Sequence, residues 1–289
     1  MFSLRAKPGV FVFLLLTAAA AIIRGEPVQT VNLSARVQVG MSGVGVGGFI
    51  ISGNSKHVLV RAIGPSLSNA GIVGALTDPV LELHGAIPFV TMINNNWRDD
   101  PVQETAIITS GIAPTNDLES AIDVTLDPGS YTAVVRGSNG SSGLALIEVY
   151  DLSPGIDSKL ANLSTRAFVG GGDNVVIAGF MLGGDIGDNG ITVRGIGPSL
   201  TELGVTDVLS NPTLEMFNAN GELQAINHDW QDLPGQAAEL IAQGLALTNP
   251  LESGLATVLP PGAYTVLLAG ENNETGIGLV EVYDLGEQK

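Results

Sequence analysis

Apolar and polar positions alternate with a period of two along much of the chain. In PVLELH, Leu81 and Leu83 point one way, while Glu82 and His84 point the other. The segment PTLEMF repeats the pattern, with Leu214 and Met216 set against Glu215 and Phe217. Such alternation predicts a strand with one buried face. HVLVRAIG, FVTMINN, AIDVTL and LALIEVYDL are short, rich in β-branched residues and bounded by turn residues, so they too read as strands. SYTAVV is apolar on both faces, as a central strand would be. DPGSYT and PPGAYT each set Pro-Gly before a Tyr-led strand; Pro fixes one φ and Gly tolerates a positive one. One helix per unit is predicted, over Pro101–Gly111 and Pro234–Gly244, with Pro in the first turn, Gly at the end and Asp99 or Asp232 ahead as the cap.

The chain is a duplication. Shifted by 133 positions, Val58–Leu152 lies on Ile191–Leu285 without a gap, with 41 identities in 95 positions. Upstream, NLSAR (Asn32–Arg36) pairs with NLSTR (Asn162–Arg166), and GGFIISG with AGFMLGG. A repeat this long is a domain-sized unit rather than a solenoid turn. VRAIGPSL and VRGIGPSL, ending at Leu67 and Leu200, are one corner written twice.

The expected fold class is therefore all-β: two tandem antiparallel β-sandwich domains of jelly-roll type, each with one short helix. Residues 1–25 are expected to be a signal peptide, 26–152 the first sandwich repeat, 153–159 a linker and 160–289 the second repeat. Val10–Ile23 is a 14-residue apolar run behind Arg5 and Lys7. A span needs about 20 such residues, so the run predicts an export signal and no transmembrane span in the mature chain.

Composition narrows function by exclusion. Gly is abundant, 38 of 289 residues, against an ordinary share of about 7%, which suits tight turns between strands. The formal charge is −17 with only 12 Lys and Arg, which argues against nucleic acid as a partner. With no Cys, disulfides, thiolate metal sites and Cys nucleophiles are excluded.

Candidate chemistry is sparse, and no catalytic residue is assigned. GVGVGG (Gly43–Gly48) matches a dinucleotide-loop spacing, but its counterpart NVVIAG is a plain strand. Ser66 and Ser199 repeat, yet no His repeats with them to act as a base. Trp97 and Trp230 occupy the same place in each copy. They are read either as core plugs or, with Asp99 and Asp232, as a doubled contact surface for a sugar or peptide. Asp99, Asp117, Glu119, Asp229, Asp232 and Glu252 are the oxygen donors that could gather around calcium, the one ion considered; no other cofactor is expected. Arg61/Arg194 and Glu148/Glu281 are shared charges set among apolar residues, expected to form structural ion pairs.

LDPGSYTAVVRGSNGSSGLALIEVYDL and LPPGAYTVLLAGENNETGIGLVEVYDL, with the strand-and-turn segments ahead of them, resemble bacterial pre-peptidase C-terminal (PPC)-type β-sandwich domains. The whole unit also resembles uncharacterised repeats of exported bacterial proteins that open on NLSTR and close on EVYDL. The first resemblance implies an accessory or surface-binding module and carries over no catalytic residue. The expected function is a secreted or cell-surface, non-enzymatic binding or structural module. It would be periplasmic, extracellular or on the cell surface of a bacterium, with an extracellular glycan or protein as partner. The alternatives are a polysaccharide-active hydrolase using carboxylates and a self-assembling coat subunit.

Overall fold

A computed structural model describes residues 25–40, 43–155 and 157–287; the apolar run of the expected signal peptide lies outside them. The first repeat supplies β1 (Gln29–Val39), β2 (Gly45–Gly53), β3 (Lys56–Ile63), β4 (Pro79–Gly85), β5 (Met92–Asn94), α1 (Pro101–Thr109), β6 (Ser120–Leu126), β7 (Gly129–Gly137) and β8 (Gly143–Asp151). The second supplies β9 (Ser158–Val169), β10 (Val176–Gly183), β11 (Asn189–Ile196), β12 (Pro212–Asn218), β13 (Leu223–Asn227), α2 (Pro234–Ala242), β14 (Ser253–Leu259), β15 (Gly262–Gly270) and β16 (Gly276–Glu287). Strand β9 begins inside the segment expected to be linker.

Two eight-stranded sheets pack face to face. Sheet I has the order β13-β12-β15-β10-β1-β8-β3-β6, and sheet II β14-β11-β16-β9-β2-β7-β4-β5. All neighbouring strands are antiparallel. Each repeat contributes four strands to each sheet. In the first, β1-β8-β3-β6 faces β2-β7-β4-β5; the second repeats this as β9-β16-β11-β14 facing β10-β15-β12-β13. That interleaving is a jelly roll.

The expectation of two separately closed sandwiches is corrected. β1 pairs with β10, and β2 with β9, so both sheets run unbroken through both repeats. One apolar core follows them, from Leu33, Phe49 and Val60 to Phe180, Val193 and Val266. The physical reason is that β1 and β2 are edges of the first jelly roll, and β10 and β9 are the matching edges of the second. Each pair of open edges is satisfied by the other.

The junction explains the paired phrases NLSAR/NLSTR and GGF/AGF. Ser34 faces Gly179 across one seam, and Ser164 faces Gly48 across the other. A Cβ on Gly48 would lie 2.5 Å from Ser164 Oγ, so glycine leaves room for the serine hydroxyl as it stands. Asn32 Nδ2 donates to Val149 O at 3.2 Å, and Asn162 Nδ2 to Val282 O at 3.1 Å, which ties each seam to its neighbouring strand. GVGVGG runs into β2 and opens no helix.

Candidate functional site

The corner GPSL is held by a buried carboxylate. After β3 the chain turns at Gly64 into a 3-10 turn, Pro65–Ala70. Glu119 Oε1 accepts hydrogen bonds from Gly64 N (3.1 Å), Ser66 N (3.0 Å) and Ser66 Oγ, while Oε2 accepts from Asn116 N. Glu252 does the same for Gly197 N (3.2 Å), Ser199 N (3.0 Å) and Ser199 Oγ (2.5 Å). Both glutamates are almost wholly buried. Their place among calcium ligands is corrected: they hold a turn, because backbone donors converge on them inside the fold. Ser66 and Ser199 donate to carboxylates, and among the described residues no histidine is hydrogen-bonded to either hydroxyl.

The tryptophans seal the helix to the outer face of a sheet. Trp97 packs with Leu59, Ile107, Ala121 and Tyr150, and Trp230 with Ile196, Leu200, Leu240 and Leu247. They are 2% and 6% exposed. Each indole N–H is satisfied, Trp97 by Asn116 O (3.1 Å) and Trp230 by Asn249 O (3.2 Å). The contact-surface reading of Trp97 and Trp230 is therefore corrected in favour of the core plug. A large ring with one polar atom suits a buried site that offers one acceptor. The Arg98 guanidinium sits 3.9 Å from the Trp97 ring centre, a further cover.

The remaining acidic candidates do not converge. Asp117 pairs with Arg98 at 2.7 Å. Asp99 is exposed and meets Asn96 Nδ2 at 3.4 Å. Asp99 is not the helix cap; Asp100 is, accepting from Val102 N and Gln103 N, and the second helix has Leu233 there with no side-chain cap. Asp232 Oδ2 accepts from Asp229 N at 3.4 Å. Partial burial raises the Asp229 carboxyl above its ordinary value, helped by Asp232 and Glu271 and opposed by His228. No group of three or more His, Asp or Glu side chains is arranged to hold a metal among the described residues.

The shared charges pair as expected. Arg61 faces Glu148 across β3 and β8, and Arg194 faces Glu281 across β11 and β16. Arg61 Nε and Nη2 lie 2.9 and 2.5 Å from Glu148 Oε2, and Tyr150 OH donates to Oε1 at 2.8 Å. Arg194 repeats this on Glu281 at 2.8 and 2.5 Å. Thus EVYDL sends Glu and Tyr outward beneath the helix, while Val149 enters the core. Burial pushes the Tyr283 hydroxyl up to about 12 and Tyr150 well above its ordinary value.

The repeats differ at the rim of that core. In the first, Lys56 Nζ meets Asp151 Oδ2 at 2.5 Å, both side chains wholly buried. In the second, Asn189 replaces the lysine, and Asp284 takes Lys159 at 3.2 Å instead. Sequence comparison showed the aspartate but not its change of partner, since Lys159 comes from a strand outside the gapless match.

No known family profile matches the chain, and no curated protein does. Among solved structures it is similar to the STIV MCP, at 10% identity over 89% of this chain and 93% of that one, with a TM-score of 0.23. It is also similar to a DUF4785 family protein from Legionella pneumophila subsp. pneumophila str. Philadelphia 1, at 13% identity over 90% and 91%, with a TM-score of 0.22. No helix among the described residues is long and apolar enough to cross a membrane.

Proposed function

We propose that the chain is a secreted or cell-surface structural and binding module that catalyses no reaction. One observation carries this reading. Three pairs of side chains kept by both repeats serve the same architectural task in each: Glu119 and Glu252 hold a corner, Arg61 and Arg194 are clasped by glutamate and tyrosine, and Trp97 and Trp230 are sealed. Duplication has preserved a frame, and contacts fall to loops and strand edges. The export-type pattern in the sequence of residues 1–25 suits an extracytoplasmic setting. The expected partner is an extracellular protein or glycan held at such an edge.

The test pairs a glycan and surface-protein binding screen with a panel of polysaccharide substrates. Binding without turnover is expected. Turnover that disappears when a facing carboxylate is changed to its amide would replace this reading with that of a hydrolase.

A further inference from the structure

The two ends of sheet II have diverged in complementary ways. In the first repeat, the outward backbone of edge strand β6 is closed: Gln103 accepts from Asp123 N (2.9 Å) and donates to Asp123 O (3.1 Å), and Asn94 accepts from Ala121 N. His57 Nε2 meets Asp123 Oδ1 at 2.8 Å beside it. In the second repeat these positions are Gln236, Ala256 and Gly190, and Val102 of the first helix becomes Gly235. Val102, His57 and Asp123 are thus replaced by Gly235, Gly190 and Ala256, while Gln236 stays and Asn227 Oδ1 still accepts from Gly254 N at 2.8 Å. A groove of about 290 Å³ remains, lined by the small residues Gly190, Gly235 and Ala256 and by the polar side chains of Gln236, Glu239 and Gln243. The buried Oε1 of Gln236 has no partner, so the edge of β14 at Ala256 lacks the clasp that closes β6.

The opposite edge of the same sheet carries a projection. Ile87 and Val90, at the β4–β5 tip, are 98% and 81% exposed, and Phe89 anchors the tip on Tyr131 with ring centres 5.5 Å apart. The fold does not require apolar residues there. The second repeat turns the same corner with Asn220, Gly221 and Glu222, tied to the Asn218 side chain.

Sheet polarity lets the two edges meet. Eight antiparallel strands leave β14 and β5 running in opposite directions. A second chain set alongside in the same orientation therefore brings its β5 antiparallel to β14. The register across sheet II places the tip and the C-terminal half of β14 at the same end of the sandwich.

We propose that the chain associates head to tail with a second copy of itself, the β4–β5 tip and β5 edge of one chain docking on the β14 edge and groove of the next. The occupant is a second copy because one sheet carries both halves, the projection beside β5 at one edge and the opening at β14 at the other. The contact is heterologous, so it propagates into chains or rings. It rests on the structural-module reading above and names its partner. Since every chain is strongly acidic, association should strengthen as salt screens the repulsion.

Sedimentation velocity of the purified chain over rising concentration and salt is the test. Growth from the mass of one chain to two and beyond is expected. Gly190→His with Ala256→Asp rebuilds in the second repeat the pair that fills the first, and should leave a monomer. Ile87→Asp with Val90→Asp should do the same from the other side. Mixed, the two variants should form dimers and nothing longer, since each retains one intact half. Thermal melting confirms that each variant is folded; Ala256→Pro, which removes an outward N–H, substitutes if the rebuilt pair does not fold. A monomer under all conditions, association unaffected by either variant, or a mixture that fails to pair overturns the proposal. A monomeric chain that still binds an extracellular ligand rejects self-association alone; assembly together with polysaccharide turnover rejects the non-enzymatic reading alone.

Discussion

Replacing Glu119 with alanine is the sharpest test of how the repeated corner is held. The carboxylate takes hydrogen bonds from Gly64 N, Ser66 N and Ser66 Oγ inside the fold, and from Asn116 N at its rim. Glu119→Ala leaves the first three donors buried without an acceptor. A buried unpaired donor costs about 1–3 kcal/mol. The lower half of that range for three donors gives a loss of about 3–6 kcal/mol, a large share of the roughly 5–15 kcal/mol that stabilises an ordinary domain. Glu119→Gln keeps a carbonyl oxygen for the three buried donors and loses the charge assistance and the acceptor for Asn116 N at the rim, for about 1–2 kcal/mol. Urea unfolding read by tryptophan fluorescence measures both, provided the slope with denaturant is unchanged. The alanine variant should lose at least twice what the glutamine variant loses. Equal losses, or an alanine loss below about 1 kcal/mol, would show that water or a rearranged turn satisfies these donors and that the latch is incidental.

Four further outcomes follow from the same geometry. Trp97→Ala should cost about 3–5 kcal/mol in urea unfolding and leave any glycan binding untouched, because the ring is covered. Lys56→Met should cost about 3–5 kcal/mol by leaving Asp151 buried and unpaired, and adding Asp151→Leu should recover most of it. All four tyrosines have hydroxyls raised above their ordinary value, burial being the largest cause in each. The folded chain then holds protons that the unfolded chain has lost, so stability is full below about pH 10 and falls as pH rises toward the folded value, about 12 for Tyr283. Absorbance of the phenolate should therefore appear together with unfolding rather than before it. Calcium and a chelator should each leave the thermal midpoint unchanged, since Asp117 is engaged by Arg98 and Glu119 by the corner; a calcium-dependent rise would show a site that these side chains do not form.

Local patterns carried the jelly roll but not its outer edges. Period-two alternation in PVLELH and PTLEMF marked β4 and β12, and Pro-Gly before Tyr131 and Tyr264 marked the turns into β7 and β15. Arg61 and Glu148 could be paired because each stood alone among apolar neighbours in both copies. The seams could not be read. An edge strand that meets its own repeat and one that meets the other repeat have the same alternation, and only the serine-glycine facing distinguishes them afterwards. Asp99 and Asp232 read as caps from their place just ahead of each helix, yet the working cap is Asp100, which the second copy lacks. Glu119 looked like a ligand because a carboxylate in sequence does not reveal how many backbone amides converge on it. Copy-to-copy agreement pointed to architecture, while the places where the copies disagree, at residues 57, 87, 123 and 256, are where the groove and the projection lie.

Since β1 pairs with β10 in one sheet and β2 with β9 in the other, neither half can melt while the other stays intact. Heating should give a single calorimetric peak with matching van't Hoff and measured enthalpies, despite the twofold repetition in the sequence. A protease cut between Leu152 and Ser158 should leave the fragments bound together until denaturant separates them.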